Sequence, residues 1–109
     1  MAEADFSATG VRIERWPRSL TRAGEVLVQD GRLALLTSYG RVIDSAPVRA
    51  VRTAKPWFSD RGDAMVATLN GHRYRLTLGQ RDPARGTAAA RALTGRLRDA
   101  VRRGGGGTD

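Results

Sequence analysis

The side chains with most to offer chemically lie between Arg49 and Arg75, and they are cations and aromatics. Lys55-Pro56-Trp57-Phe58, with Arg61 close behind, sets adjacent rings among positive charges. A loop of that kind wedges into a bilayer surface or stacks on a base; turned inward, the same rings would complete a core. Arg73 and Arg75 alternate along one segment and so project from one face, where paired guanidinium forks suit phosphate or carboxylate groups. Arg49 and Arg52 add charge just upstream. We therefore expect the binding surface to comprise Arg49, Arg52, Lys55, Trp57, Arg61, Arg73 and Arg75.

Catalysis has no comparable footing. His72 is the only histidine and stands beside a turn on an apolar register, which points to a structural role. No serine can be matched with it as nucleophile and base. Asp60 and Asp63 lack the spacing of a calcium loop, and no glycine-rich phosphate loop is present. Arg61-Gly62-Asp63 spells the integrin tripeptide, which we read as coincidence in a chain rich in these letters. With no cysteine there is neither a disulfide framework nor a thiolate metal site. The expectation is a non-enzyme without metal or cofactor.

The elements that must carry these side chains are announced by two dipeptides, Asp30-Gly31 and Asn70-Gly71, each between alternating apolar runs. Both tolerate the paired positive φ angles of a two-residue type I′ hairpin loop. Across the first, Glu25–Asp30 meets Arg32–Thr37, so that Val28 faces Leu33 and Val26 faces Leu35. Leu27, Ala34 and Leu36 then share the other surface. Across the second, Met65–Leu69 meets His72–Leu78: Met65, Ala67, Leu69, His72, Tyr74 and Leu76 share one face, while Val66, Thr68, Arg73, Arg75 and Thr77 take the other. Further strands are expected at Val11–Trp16, Arg41–Ser45 and Val48–Thr53, the first ended or confined to an edge by Pro17. Ser38-Tyr39-Gly40 reads as a turn.

A helix is expected from Asp82-Pro83, a capping carboxylate and a first-turn proline, to about Arg103, where glycines stop it. Ala90, Leu93, Leu97, Ala100 and Val101 form its apolar stripe. Residues 1–10 read as a flexible arm, 11–103 as a single domain and 104–109 as a flexible glycine-rich tail.

A chain of 109 residues suffices for one core, burying roughly 65% of its unfolded surface. The formal charge is +8, and every basic residue but Lys55 is arginine. That skew is also what a high-GC coding sequence produces without selection, yet the field it creates attracts phosphates and anionic lipid. Neither a secretory signal nor a stretch long enough to span a membrane is evident, so a cytoplasmic protein is the default.

A meander of about seven short strands ending in one amphipathic helix resembles the bacterial pleckstrin-homology (PH-like, including GRAM) superfold. The stretch GEVLVQDGRLALLTSYGRVIDSAPVRAVR is similar to the GRAM succession of hairpins, with Leu36-Thr37 followed by Arg41. The resemblance implies a mainly β, α+β fold: a six- to seven-stranded antiparallel barrel of two packed sheets with one C-terminal α-helix. It also implies a binding role. Inositide-binding members carry basic residues at the end of the first strand and along the second. Arg18 and Arg22 satisfy the first position, whereas Glu25, Gln29 and Asp30 stand at the second.

The reading that follows is a binding module that docks to an anionic membrane surface, peripheral to its inner face, or to an acidic protein partner. An assembly domain, using Leu27, Ala34 and Leu36 as a homotypic or heterotypic face, is the alternative. Nucleic-acid binding through the arginine-rich helix ranks third, since no reader motif is present.

Overall fold

A computed structural model describes residues 5–15, 18–54, 64–78 and 86–108, with side chains given except for 86–90 and 108. The strands are β1 (Phe6–Arg15), β2 (Arg18–Gln29), β3 (Arg32–Leu36), β4 (Val42–Pro47), β5 (Arg52–Ala54), β6 (Ala64–Leu69), β7 (His72–Thr77) and β8 (Gly107–Thr108), with helix α1 at Gly86–Arg103. They form one hydrogen-bonded sheet in the order β4-β3-β2-β1-β7-β6-β5-β8. Seven strands run antiparallel to their neighbours; β8 lies parallel to β5.

Both expected hairpins form in the expected register. Asp30 and Asn70 have φ of 53° and 52°, and the glycines after them 74° and 80°, as a type I′ loop requires. Val28 faces Leu33 and Val26 faces Leu35; Met65, Ala67 and Leu69 face Leu76, Tyr74 and His72. Apart from His72 these residues are all buried, together with Val11, Ile13, Leu97, Ala100 and Val101. The helix stripe is therefore docked as its periodicity predicts, and full burial of Leu97 contributes about 1.5–3 kcal/mol.

The N-terminal reading needs correction from Phe6 onward. Residues Phe6–Gly10 are not a flexible arm but the first half of β1, and Phe6 is only 2% exposed. The cause is a bulge. Gly10 sits at φ 66°, and the register shifts between Thr9 and Val11. The inward positions therefore switch from Phe6 and Ala8 to Val11 and Ile13. A strict two-residue alternation read back from Val11 would turn Ser7 and Thr9 inward and hide the strand.

Two further corrections concern β5 and the tail. The expected strand Val48–Thr53 divides into a 3₁₀ turn at Val48–Ala50 and the short β5, because Pro47 ends β4. The glycine run is not a loose tail. The amides of Gly104, Gly105 and Gly106 bond to the carbonyls of Ala100, Arg102 and Val101, and Gly107 N–H donates to Val51 O at 3.0 Å. Gly106 is pressed so close that a Cβ would collide with Val101 Cγ1 and stand 2.7 Å from Val48 O and 2.9 Å from Val51 O. The helix start at Asp82-Pro83 and the loop from Lys55 to Asp63 lie outside the described residues.

Two glycines should respond to alanine in opposite directions. Gly106→Ala overfills its seat and should destabilise by about 1–3 kcal/mol. Gly95→Ala meets open space on a helix interior and should stabilise by about 0.5–1 kcal/mol. Urea unfolding midpoints at constant slope measure both, and equal effects at the two sites would refute the packed-tail geometry.

Candidate functional site

Alternation along β5, β6 and β7 sends every second side chain to the outer face of the sheet. Arg52 stands opposite Thr68, and Thr68 opposite Arg73, so the two guanidiniums occupy one row. Neighbouring strands lie about 4.8 Å apart, which sets their backbones about 10 Å from each other. In the next row Arg75 stands opposite Glu14 of β1 on one side and Val66 on the other. The Glu14 carboxylate lies 3.4 Å from Arg12 Nε and 3.8 Å from Arg75 Nε. One anion thus partly neutralises two cations. Arg73 has no ion pair or side-chain hydrogen bond among the described residues.

The structure therefore brings together three of the seven expected site residues, Arg52, Arg73 and Arg75, all exposed. Arg52 extends along Gly107 of β8, its Nη1 3.9 Å from where a Cβ would stand. Arg49 does not join them. It lies in the 3₁₀ turn with its backbone against Gly105, at the helix end of the barrel. Lys55, Trp57 and Arg61 lie outside the described residues. His72 is half-buried and meets the Tyr74 ring edge-on at 6.4 Å between centroids. Among the described residues no group of His, Asp or Glu is arranged to hold a metal ion.

A second cluster was foreshadowed only by Arg18, Arg22 and Arg41, and its apolar members were not expected. Among the described residues the exposed large hydrophobics are Leu20 at 38%, Val42 at 56% and Tyr39 at 96%. Leu20 belongs to the first half of β2, next to the β1–β2 connection. Tyr39 and Val42 belong to the β3–β4 turn and its exit. Because Leu36 pairs with Glu25, that turn projects toward the same end of β2. Arg15, Arg18, Arg22 and Arg41 are distributed over these segments, and none has a carboxylate within ion-pair distance among the described residues.

The turn holds Tyr39 out by design of its hydrogen bonds. Thr37 Oγ1 accepts from the amides of Tyr39 at 3.3 Å and Arg41 at 3.1 Å. Thr37 N–H donates to Arg41 O at 2.8 Å, and Gly40 N–H donates to Thr37 O at 3.0 Å. Thr37 and Arg41 of the expected Leu-Thr-x-x-x-Arg step are thus the two posts of one turn. Tyr39 sits in the sequence as an ordinary turn residue, and only its exposure in the structure marks it.

Close to Arg15 the barrel is fastened by Asp44. Its Oδ1 accepts from Asn70 Nδ2 at 2.7 Å and its Oδ2 from the Tyr74 hydroxyl at 2.7 Å. Asn70 Nδ2 also donates to Ser45 O at 3.0 Å. Burial first, then the hydrogen bond to Asp44 and its negative charge, push the Tyr74 phenol up to about 12, against a smaller opposing effect of Arg15.

No protein-family model matches the chain, and no curated protein resembles it. Seven solved chains do. One is the solution structure of the pleckstrin homology domain of mouse ethanol decreased 4 protein. It shares 13% sequence identity at a TM-score of 0.58, over 96% of this chain and 90% of that one. The fold is PH-like: an antiparallel, mainly β sheet closed by one C-terminal helix.

Tyr74 makes the fastening testable by pH. Its folded-state value exceeds the unfolded value near 10, so its contribution is complete below pH 10 and is lost as pH rises toward 12. The expected slope is at most about 1.4 kcal/mol per pH unit within that window. Tyr74→Phe should flatten this slope in denaturant titrations, and an unchanged slope would exclude Tyr74 as its source. Asn70→Asp keeps the turn but sets a second carboxylate against Asp44, and should destabilise at neutral pH by about 1–2 kcal/mol.

Proposed function

We propose that this chain is a non-catalytic binding module that docks peripherally on an anionic membrane surface, at the inner face of the cell membrane. The observation that carries this reading is the end of the barrel near the β1–β2 connection. There a hydrogen-bonded turn holds out a tyrosine that is 96% exposed, beside arginines that have no acidic partner among the described residues. A tyrosine suits the headgroup boundary because its ring is apolar and its hydroxyl wet. Guanidiniums add attraction to lipid phosphates. Arg52, Arg73 and Arg75 extend the positive field along the adjoining sheet face. Lys55, Trp57 and Arg61 lie outside the described residues and are proposed to add charge and a ring to the docking surface.

The solved pleckstrin homology domain of similar fold supports the architecture, and the charge and exposure pattern supports the partner. No helix among the described residues is long and apolar enough to cross a membrane. A second reading rests on the ladder between β3 and β4, where half-buried Leu36 pairs with exposed Val42. A second copy of the chain covering that face would make this an assembly domain.

Sedimentation with vesicles separates these readings. Vesicles containing phosphatidylserine should carry the protein down, phosphatidylcholine alone should not, and binding should fall as salt passes physiological strength. Arg73→Glu should weaken binding about tenfold or more, and Tyr39→Ala several-fold. Glu14→Gln, which removes the negative charge shared by Arg12 and Arg75, should strengthen it about fivefold. Equal binding to neutral vesicles, or none to either, would overturn the proposal. A dimer by light scattering that Val42→Arg dissociates would favour assembly.

A further inference from the structure

Asn70 is the only asparagine in the chain, and it is followed by glycine. A glycine has no side chain to shield its backbone nitrogen, so Gly71 N can approach the side-chain amide carbon of Asn70 closely. When it attacks, a bond forms between Gly71 N and Asn70 Cγ, and the Cγ–Nδ2 bond breaks. Nδ2 leaves as ammonia, taking the proton of the Gly71 N–H. Water then opens the cyclic imide at either carbonyl. The product is aspartate or, with the main chain rerouted through Cβ, isoaspartate. Water is the only co-reactant.

We propose that Asn70 is a site of spontaneous deamidation, suppressed while its amide is tied to β4 and released when that tie opens locally. Solvent does not limit the reaction, because Asn70 and Gly71 are both exposed. Geometry does. Asn70 has φ 52°, and the first position of a type I′ loop has ψ of about +30°. That ψ turns Gly71 N away from the Asn70 side chain, so the ring cannot close without rotation of the turn. The leaving nitrogen is also held. Nδ2 donates to Asp44 Oδ1 at 2.7 Å and to Ser45 O at 3.0 Å. Bringing the reacting atoms to about 3–3.5 Å therefore requires both bonds to be given up.

The reaction destroys the group that restrains it. A carboxylate at position 70 has no N–H to give Asp44 or Ser45 O, and it sets like charges against each other. Isoaspartate also adds a main-chain atom to the two-residue loop between Leu69 and His72, whose pairing closes the hairpin. Each opening that ends in reaction is thus one-way, and the fastening of the sheet is also the point at which the protein ages. The equivalent turn at Asp30-Gly31 has no amide to lose. The site depends only on the bonds of Asn70 and is independent of the membrane reading.

The test incubates the full chain at mildly alkaline pH in heavy-oxygen water and follows position 70 by peptide mass spectrometry. In denaturing urea, position 70 should convert to aspartate and isoaspartate, each carrying an oxygen from the solvent. In the folded chain the same conversion should be slower by about a hundredfold or more. Asp44→Ala, with its fold checked by circular dichroism, should speed native conversion about tenfold, as loss of a charge-assisted hydrogen bond does. Gly95→Ala stabilises α1 away from the turn and should leave the native rate unchanged, since local opening bypasses global unfolding. Slowing by Gly95→Ala in step with its gain in stability would overturn local release. Equal rates in the folded and unfolded parent, or no conversion in urea, would overturn the proposal even where Asp44→Ala fails to fold. So would an unchanged rate in folded Asp44→Ala.

Discussion

Between β4 and the β6–β7 hairpin no backbone ladder forms among the described residues, and the two parts of the sheet are joined there through the carboxylate of Asp44. It takes one hydrogen bond from the Asn70 amide and one from the Tyr74 hydroxyl, both 2.7 Å long. Hydrogen bonds to a charged acceptor contribute about 1.5–3 kcal/mol each, more than an ordinary ladder bond. Asp44 also accepts from the N–H of Ser45 at 2.8 Å, while Ser45 O accepts from Asn70. The exposed edge of β4 is thereby occupied by side chains at its midpoint, where a bare edge would invite another strand. This constraint explains the difference between two otherwise equivalent turns. Asp30-Gly31 and Asn70-Gly71 adopt the same backbone, but only the amide of an asparagine can donate toward Asp44.

Closing the sheet in this way sets the working ends of the molecule. With Tyr74 and Asn70 tied to β4, the β6–β7 turn is held close to the β1–β2 connection and the β3–β4 turn. The helix packs at the other end, and the glycine run from Gly104 threads between α1 and the 3₁₀ turn to reach β5. Those glycines are there for volume: Gly104 faces Val48, and Gly106 faces Val101 and two carbonyl oxygens. A linker would make no such contacts. The parallel pair formed by β5 and β8 is short, and it follows from where the glycines must pass.

Much of this architecture is legible in the residues because local chemistry and core packing agree. The I′ turns at Asp30 and Asn70 and the stripe of Leu97, Ala100 and Val101 each have one geometric solution. The face carrying Arg73 and Arg75 follows directly from the second hairpin. What is hidden depends on parity or on distance. The Gly10 bulge reverses the inward phase of β1 and conceals Phe6 and Ala8. Arg52 joins Arg73 only through the pairing of Arg52 with Thr68, a residue far along the chain. Asp44 meets partners 26 and 30 residues away. The exposure of Tyr39 depends on which neighbours are absent, and composition carries no record of that.

The distribution of charge bears on how a chain of formal charge +8 tolerates itself. The molecule measures 33 × 29 × 26 Å, and the screening length at physiological salt is about 8 Å. The arginines near Tyr39 and those at the C-terminal end of α1 are therefore separated by more than a screening length and repel each other weakly. Within each group the charges stand closer, and each group keeps its own field. A planar anionic surface meets the first group together with the flank formed by Arg52, Arg73 and Arg75. The second group stands at the opposite end of the barrel, away from such a plane. Arginine suits both settings, since its guanidinium remains charged throughout and its stem packs along apolar surface. Placement therefore decides which group of charges a planar partner meets.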